Sequence, residues 1–250
     1  METRRDAIVS LINEKGNVNF QELKKHFPQV SEMTLRTDLK VLDEEKRIIR
    51  IHGGAKAVNQ VFGTDDLFGR RIARNTVLKQ KIAEKAASLI KPNSTIYLDS
   101  GSTTTMLAKI IPDQPQMIYT TGLSCAQELA RHEQTGIYIP GGEMNRYSMS
   151  VCGIEAIEEL QRVNFDIAFI GVTCYDKETG FTCNASDEAR LKRAAMKNTG
   201  LKVVLLDSSK VDLRGTFSIC DLKDIDIIIT DDLISADFLD DAADAGVTIM

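Results

Sequence analysis

The residues able to do chemistry fall into two groups. The larger begins with DSGSTTT at 99–105 and continues through Thr121-Gly122, Gly141-Gly142, Gly171 and DSSK at 207–210. Gly101 lets backbone N–H groups approach a ligand closely, and Ser102, Thr103 and Thr104 open a helix whose N-terminus attracts anions. Asp99, beside Ser100 in the same run, can accept hydrogen bonds from a ligand's hydroxyls, and Lys210 adds a positive charge on a neighbouring rim. A small phosphorylated molecule needs such a set. The run is neither G-x-x-x-x-G-K-[ST] nor G-x-G-x-x-G, so nucleotide binding is weakly supported. Taken singly, each turn also has a plain structural explanation, because strand-to-helix turns use glycine and capping hydroxyls in any case.

The smaller group lies in VSEMTLRTDL at 30–39. If Leu35, Leu39 and Leu42 form the apolar stripe of a helix, Glu32, Thr34, Arg36 and Thr37 stay off it near the helix start. Arg36 suits a guanine edge or a phosphate, and the hydroxyls of Ser31, Thr34 and Thr37 suit phosphate oxygens. Arg50 and His52, in RIIRIHGGAKAV, can reach a flanking backbone. The same polar face would also serve protein–protein contact.

The elements that must hold these residues can be read from spacing. Ile8, Leu11 and Ile12 recur at helical intervals before Gly16; Asn19 caps a short helix FQELKKHF that ends at Pro28; Ser31 caps a third helix. A Gly-Gly between two short apolar pieces has the form of a β-wing. Residues 1–56 thus make a winged helix-turn-helix, with the helix-turn-helix at about 20–39 and its third helix placed to enter a major groove. Residues 57–74 have weak periodicity and two glycines, as expected of a partly ordered linker. From 75 to 250, helical segments alternate with short apolar strands (TIYLDS, QMIYTT, IYIPGG, FDIAFIGV, KVVLLDSS, DIDIIITD, GVTIM), which predicts an α/β domain with a mostly parallel sheet. In such a sheet the glycine and hydroxyl turns share the carboxyl edge, where open α/β sheets bind ligands.

Composition is consistent with this division. Residues 1–56 carry eleven Lys/Arg against nine Asp/Glu, whereas residues 57–250 carry twenty against twenty-seven. The acidic total of −5 argues against indiscriminate coating of nucleic acid, while the difference in sign suggests separate partners for the two parts. No apolar run approaches the ~20 residues of a membrane helix, and METRRDAIVSLINEKG lacks a secretory core, so a cytoplasmic location without a membrane partner is expected. Five scattered cysteines without a C-x-x-C pair read as reduced, mostly buried thiols; neither a metal site nor a cofactor is expected.

VSEMTLRTDL followed by RIHGGA resembles the reading domain of the DeoR (GlpR-like) bacterial transcriptional regulators, with Thr37 where that family usually has a second arginine. The DSG-TT, T-G, G-G and DSSK landmarks resemble its sensor domain in the same order, with Ser102 for a threonine and Gly122 for an asparagine. The resemblance implies a sensor related to ribose-5-phosphate isomerases and CoA transferases. It also implies operator DNA and a phosphorylated sugar as partners, and a repressor of sugar metabolism that the sugar releases. A homodimer or homotetramer, at least a dimer, would give the small domain two reading heads. The competing class is an isomerase-like or CoA-transferase-like enzyme using Asp99, Asp207, Glu188 or Lys210, but no base and partner can be read off spacing.

Overall fold

The computed structural model describes residues 2–15, 17–45, 47–51, 53–56 and 68–250. They belong to two compact units, Met1–Asp66 and Leu67–Met250. In the first, helix α1 (Glu2–Lys15) is followed by strand β1 (Asn17–Asn19), helices α2 (Phe20–His26) and α3 (Glu32–Glu44), and strands β2 (Ile49–Ile51) and β3 (Gly54–Lys56). The capping residues are those expected. Asn19 Oδ1 accepts from the Glu22 N–H at 2.8 Å while the Glu22 carboxylate accepts from the Asn19 N–H at 3.0 Å, a reciprocal box that satisfies two orphan donors. Ser31 Oγ accepts from the Thr34 N–H at 3.1 Å. Lys24 donates to the carbonyls of Val30 at 2.6 Å and Pro28 at 3.1 Å, fixing the turn between α2 and α3. Ile8, Leu11, Ile12, Leu23, Leu35, Leu39, Leu42 and Ile48 form the shared core. The expected wing is a three-stranded antiparallel sheet in the order β1-β3-β2, because β1 joins its edge. A side chain on Gly54 would stand 2.3 Å from the Val18 carbonyl, so glycine is what admits β1.

The second unit opens with helices α4 (Phe68–Ala73) and α5 (Thr76–Ala87). Within the stretch expected as a partly ordered linker at 57–74, residues 68–73 are helical, and 57–67 lie outside the described residues. There follow β4 (Thr95–Leu98), α6 (Ser102–Ile110), β5 (Gln116–Thr120), α7 (Leu123–Leu129) and β6 (Thr135–Tyr138). A hairpin β7 (Glu143–Asn145) and β8 (Ser150–Cys152) leads to α8 (Ile154–Leu160), β9 (Phe165–Gly171), β10 (Cys174–Asp176) and β11 (Gly180–Cys183). The chain ends with α9 (Ser186–Lys197), β12 (Thr199–Leu205), β13 (Phe217–Cys220), β14 (Ile227–Ile229), α10 (Ala236–Asp244) and β15 (Thr248–Ile249).

Seven strands form one sheet in the order β15-β14-β12-β9-β4-β5-β6, and every pairing in it is parallel. Both faces are covered. Ile96, Leu98, Ile118, Phe169 and Leu205 pack with Ile82, Leu107 and Leu129 of α5, α6 and α7, and Tyr97, Ala168, Ile170 and Val204 pack with Ala156, Ala189 and Phe238 of α8, α9 and α10. This two-sided burial explains the continuous apolar strands. From β4 the chain winds outward through β5 and β6, then returns to the other flank of β4 and winds the opposite way. The strand order therefore reverses between β4 and β9, where open α/β sheets form a ligand crevice.

Candidate functional sites

On α3, Arg36 is exposed with its guanidinium carbon 4.3 Å from the centroid of the Phe20 ring. That stacking holds an otherwise mobile cation against the helix pair. Thr37 donates to the Met33 carbonyl at 2.9 Å and remains exposed, and Met33 itself is 78% exposed on the same helix. Ser31 and Thr34 are less available, because their hydroxyls bond to each other at 2.8 Å while Ser31 caps the helix. Arg50 extends from β2 into solvent, its backbone anchored by an N–H bond to Asp43 at 2.9 Å. His52 lies outside the described residues.

At the β4–β9 reversal, Asp99 is fully enclosed. One carboxylate oxygen accepts from the Gly171 N–H at 2.9 Å and from the Lys192 ammonium; the other faces the Tyr97 hydroxyl at 3.4 Å. Burial pushes the Asp99 carboxyl above its usual range, Lys192 opposes this, and Glu188 adds to it. Burial would lower Lys192, but the two carboxylates raise it. Glu188 Oε1 is buried and finds no donor among the described residues. Such an orphan costs about 1–3 kcal/mol, more when charged. Asp99 was expected to face a ligand; its oxygens are instead engaged within the protein. Lys192 was not anticipated. Its signal was a cation four residues after Glu188 on a helix face otherwise made of Ala189, Ala195 and Met196.

The Gly101–Thr104 run starts α6 as expected. The hydroxyls of Thr104 and Thr105 both donate to the Gly101 carbonyl, at 3.0 and 2.7 Å, and no side chain caps the start. The first N–H groups of α6 are therefore left to an outside acceptor. Gly122 lets the β5–α7 turn close on this one: an added side chain would sit 3.0 Å from Ser100 Cα. Thr121 faces the Tyr97 hydroxyl at 3.1 Å. Beneath both turns, burial pushes the Cys125 thiol to about 11. The β7–β8 hairpin lies over them, with the Val151 N–H donating to Thr121 at 2.8 Å and the Met149 carbonyl accepting from Leu123 at 2.9 Å. Gly141 and Gly142 are exposed at the foot of that hairpin, and Gly142 has a structural duty, since a side chain there would meet the Cys152 carbonyl at 2.3 Å.

On the opposite flank, Lys210 donates to the Val172 carbonyl at 2.9 Å and stands 3.7 Å from Asp207. Burial lowers Lys210; it would raise Asp207, but Lys210, Ser209 and Asn75 hold that carboxyl below its usual range. Asn75 donates to Asp207 at 3.2 Å and to Ser209 at 3.1 Å. Lys79, buried on α5, donates to the carbonyls of Arg71 and, at 2.7 Å, Arg74; burial first and Lys210 second bring it to about 8. Nε and Nη2 of Arg71 are buried and meet no acceptor among the described residues. None of Asn75, Lys79 and Arg71 was anticipated: Arg71 lies on a six-residue helix with too little periodicity to be distinguished from a linker, and Asn75 and Lys79 bond to groups on other elements or in a neighbouring turn.

Residues 4–61 match the family described as the DeoR-like helix-turn-helix domain, and residues 74–232 match the DeoR C terminal sensor domain. This chain belongs to the DeoR family. As a DeoR-family protein it is a DNA-binding transcriptional regulator, and it is not an enzyme of the competing class. It is 32% identical to the HTH-type transcriptional regulator GolR of Listeria innocua serovar 6a, over 98% of this chain and 96% of that one. It is 28% identical to the glycerol-3-phosphate regulon repressor of Escherichia coli K12, over 91% and 90%. Among solved structures, the DeoR-family chain is similar to ribose 5-phosphate isomerase A of Methanocaldococcus jannaschii, with 19% identity, 55% of each chain covered and a TM-score of 0.40. No described helix is long and apolar enough to cross a membrane.

Proposed function

We propose that this regulator represses a sugar-metabolism operon and leaves its operator when a phosphorylated sugar binds the carboxyl edge of the seven-stranded sheet. The supporting observation is a pair of unmet needs at the β4–β9 reversal. The uncapped N–H groups of α6 call for an anion, and the buried Glu188 oxygen calls for a hydroxyl donor. A sugar phosphate carries both groups. A relative named for glycerol 3-phosphate, itself a phosphorylated polyol, supports the same class. Arg36 and Thr37, with Arg50 alongside, read the operator, and the active form is at least a dimer through the larger unit.

Release requires the sugar to bind the DNA-free arrangement better than the DNA-bound one, because coupling is a differential affinity. Its usual size corresponds to roughly a 5–150-fold change in operator affinity. Thr103→Glu sets a like charge against the phosphate at the α6 start. The variant should still bind an operator fragment selected from random duplexes but no longer leave it when sugar phosphates are added. Release at the parent's ligand concentration would refute this placement of the pocket.

A further inference from the structure

We infer that Met33, on the first turn of α3, is a specificity-determining residue that reads one thymine of the operator through its 5-methyl group. The inference rests on α3 being the reading helix and adds to it an apolar contact that Arg36 and Arg50 cannot make.

Residue spacing puts Met33 on the outer face of the helix. Leu35, Leu39 and Leu42 are buried and define the inner face. Met33, Arg36, Thr37 and Lys40, at i, i+3, i+4 and i+7, run along the opposite side, and all four are exposed. At 78%, Met33 is the most exposed large apolar side chain among the described residues. The turn that carries it is fixed at several points. Lys24 holds the carbonyls of Pro28 and Val30 just before α3, and Ser31 Oγ accepts from the Thr34 N–H at 3.1 Å. Thr37 donates to the Met33 carbonyl at 2.9 Å, so its hydroxyl is turned back onto the helix with its proton committed. What Thr37 keeps, one turn along from Met33, is a methyl branch.

The chemistry of this first turn suits bases rather than phosphates. Met33 has no proton to donate, and the exposed carboxylate of Glu32 beside it repels a phosphate. Positive charge comes later on the outer face, at Arg36 and Lys40, and Glu44 reaches Lys40 only at 3.8 Å. In a helix-turn-helix the N-terminal residues of the reading helix face base edges. The major-groove edge of a base pair offers one apolar group, the C5-methyl of thymine; its other groups are hydrogen-bond donors and acceptors. A thioether on an unbranched chain with three rotatable bonds adapts readily to a methyl. Contact with it takes out of water a side chain that the free protein leaves there. Docking of another protein would call for a continuous apolar patch, whereas the residues around Met33 are Glu32, Arg36 and Lys40.

The test uses the full chain without effector and a duplex that it enriches from a random pool. Each thymine of that duplex is replaced in turn by uracil, which removes the methyl and keeps the hydrogen-bonding edge. Mobility-shift titration should find one thymine per half-site whose replacement weakens binding about 4-fold, the worth of one buried methyl group. Met33→Ala should lose the penalty at that thymine alone, and Met33→Leu, still apolar, should keep it. Both variants should melt as the parent does, because the side chain lies in solvent. Uracil tolerated at every position by the parent overturns the inference. So does a penalty that persists in Met33→Ala, which assigns the methyl contact to another residue. If Arg36→Ala weakens binding while either of those results holds, α3 stays the reading element and only the role of Met33 falls. Parental affinity in both Arg36→Ala and Met33→Ala, or a parent that enriches no duplex, overturns the reading helix and the thymine contact together.

Discussion

Arg36 and Arg71 differ in what surrounds the guanidinium. Arg36 is propped on the Phe20 ring in open solvent, so it is preorganised for a partner that arrives from outside. Replacing it with alanine should weaken operator binding by about 1–3 kcal/mol and relax preference at one base, while Lys210→Ala should leave DNA affinity unchanged. Mobility-shift titrations of both variants on matched and single-base-changed operators measure this; parental affinity for Arg36→Ala would remove α3 as the reading element. Arg36 was legible in the sequence because a charged residue off a leucine stripe is visible one helix turn at a time. Lys192 and Arg71 were not, because each acquires its meaning from a group far away in the chain or from a missing partner, and Glu188 was named only for the competing enzyme class. In Asp99–Lys192 the separation is 93 residues, and no local pattern encodes it.

At the scale of elements, caps were the most readable feature and short strands the least. Asn19 and Ser31 declare themselves by residue type and by the helical sequence just after each. The three-residue strands β1, β7, β8 and β10 are too short to show alternation, and the hairpin that closes over the β5–α7 turn was therefore missed. One tie between elements gives a pH signature. Asp38 of α3 is buried and accepts from Arg4 at 2.7 Å and Arg5 at 3.0 Å, both from α1. Burial would raise its carboxyl, but the two arginines hold it below the ordinary value. A depressed pKa means that the stabilisation is present in full above the unfolded value near 4 and is lost as pH falls through the lower folded one. Asp38→Asn should cost the first unit about 1.5–3 kcal/mol at neutral pH, with the deficit shrinking below about pH 4. No Trp or Tyr lies in residues 1–66, so methyl resonances of Ile8, Ile12 and Leu35 are the reporter. A deficit that persists undiminished at low pH would show that the tie is packing rather than charge.

For the whole molecule, the alternation of apolar strands and helices was enough to foresee a parallel sheet, because both of its faces are buried and most positions of its central strands are apolar. Self-association is expected from arithmetic. A reading domain with a surplus of two positive charges neutralises few phosphates by itself, and a pair of them multiplies effective affinity. Sedimentation equilibrium at micromolar concentration should give a dimer or larger; a monomer with undiminished operator affinity would refute it. Cys125 offers a view of the same molecule in time. With a pKa of about 11, its sulfur is ionised in about one molecule in ten thousand at pH 7, and the turns above deny access to an alkylating reagent. Labelling therefore proceeds only during excursions in which those turns part. The rate of iodoacetamide uptake at this one thiol is a clock for how often the crevice breathes, and a bound sugar phosphate slows the clock in proportion to its occupancy.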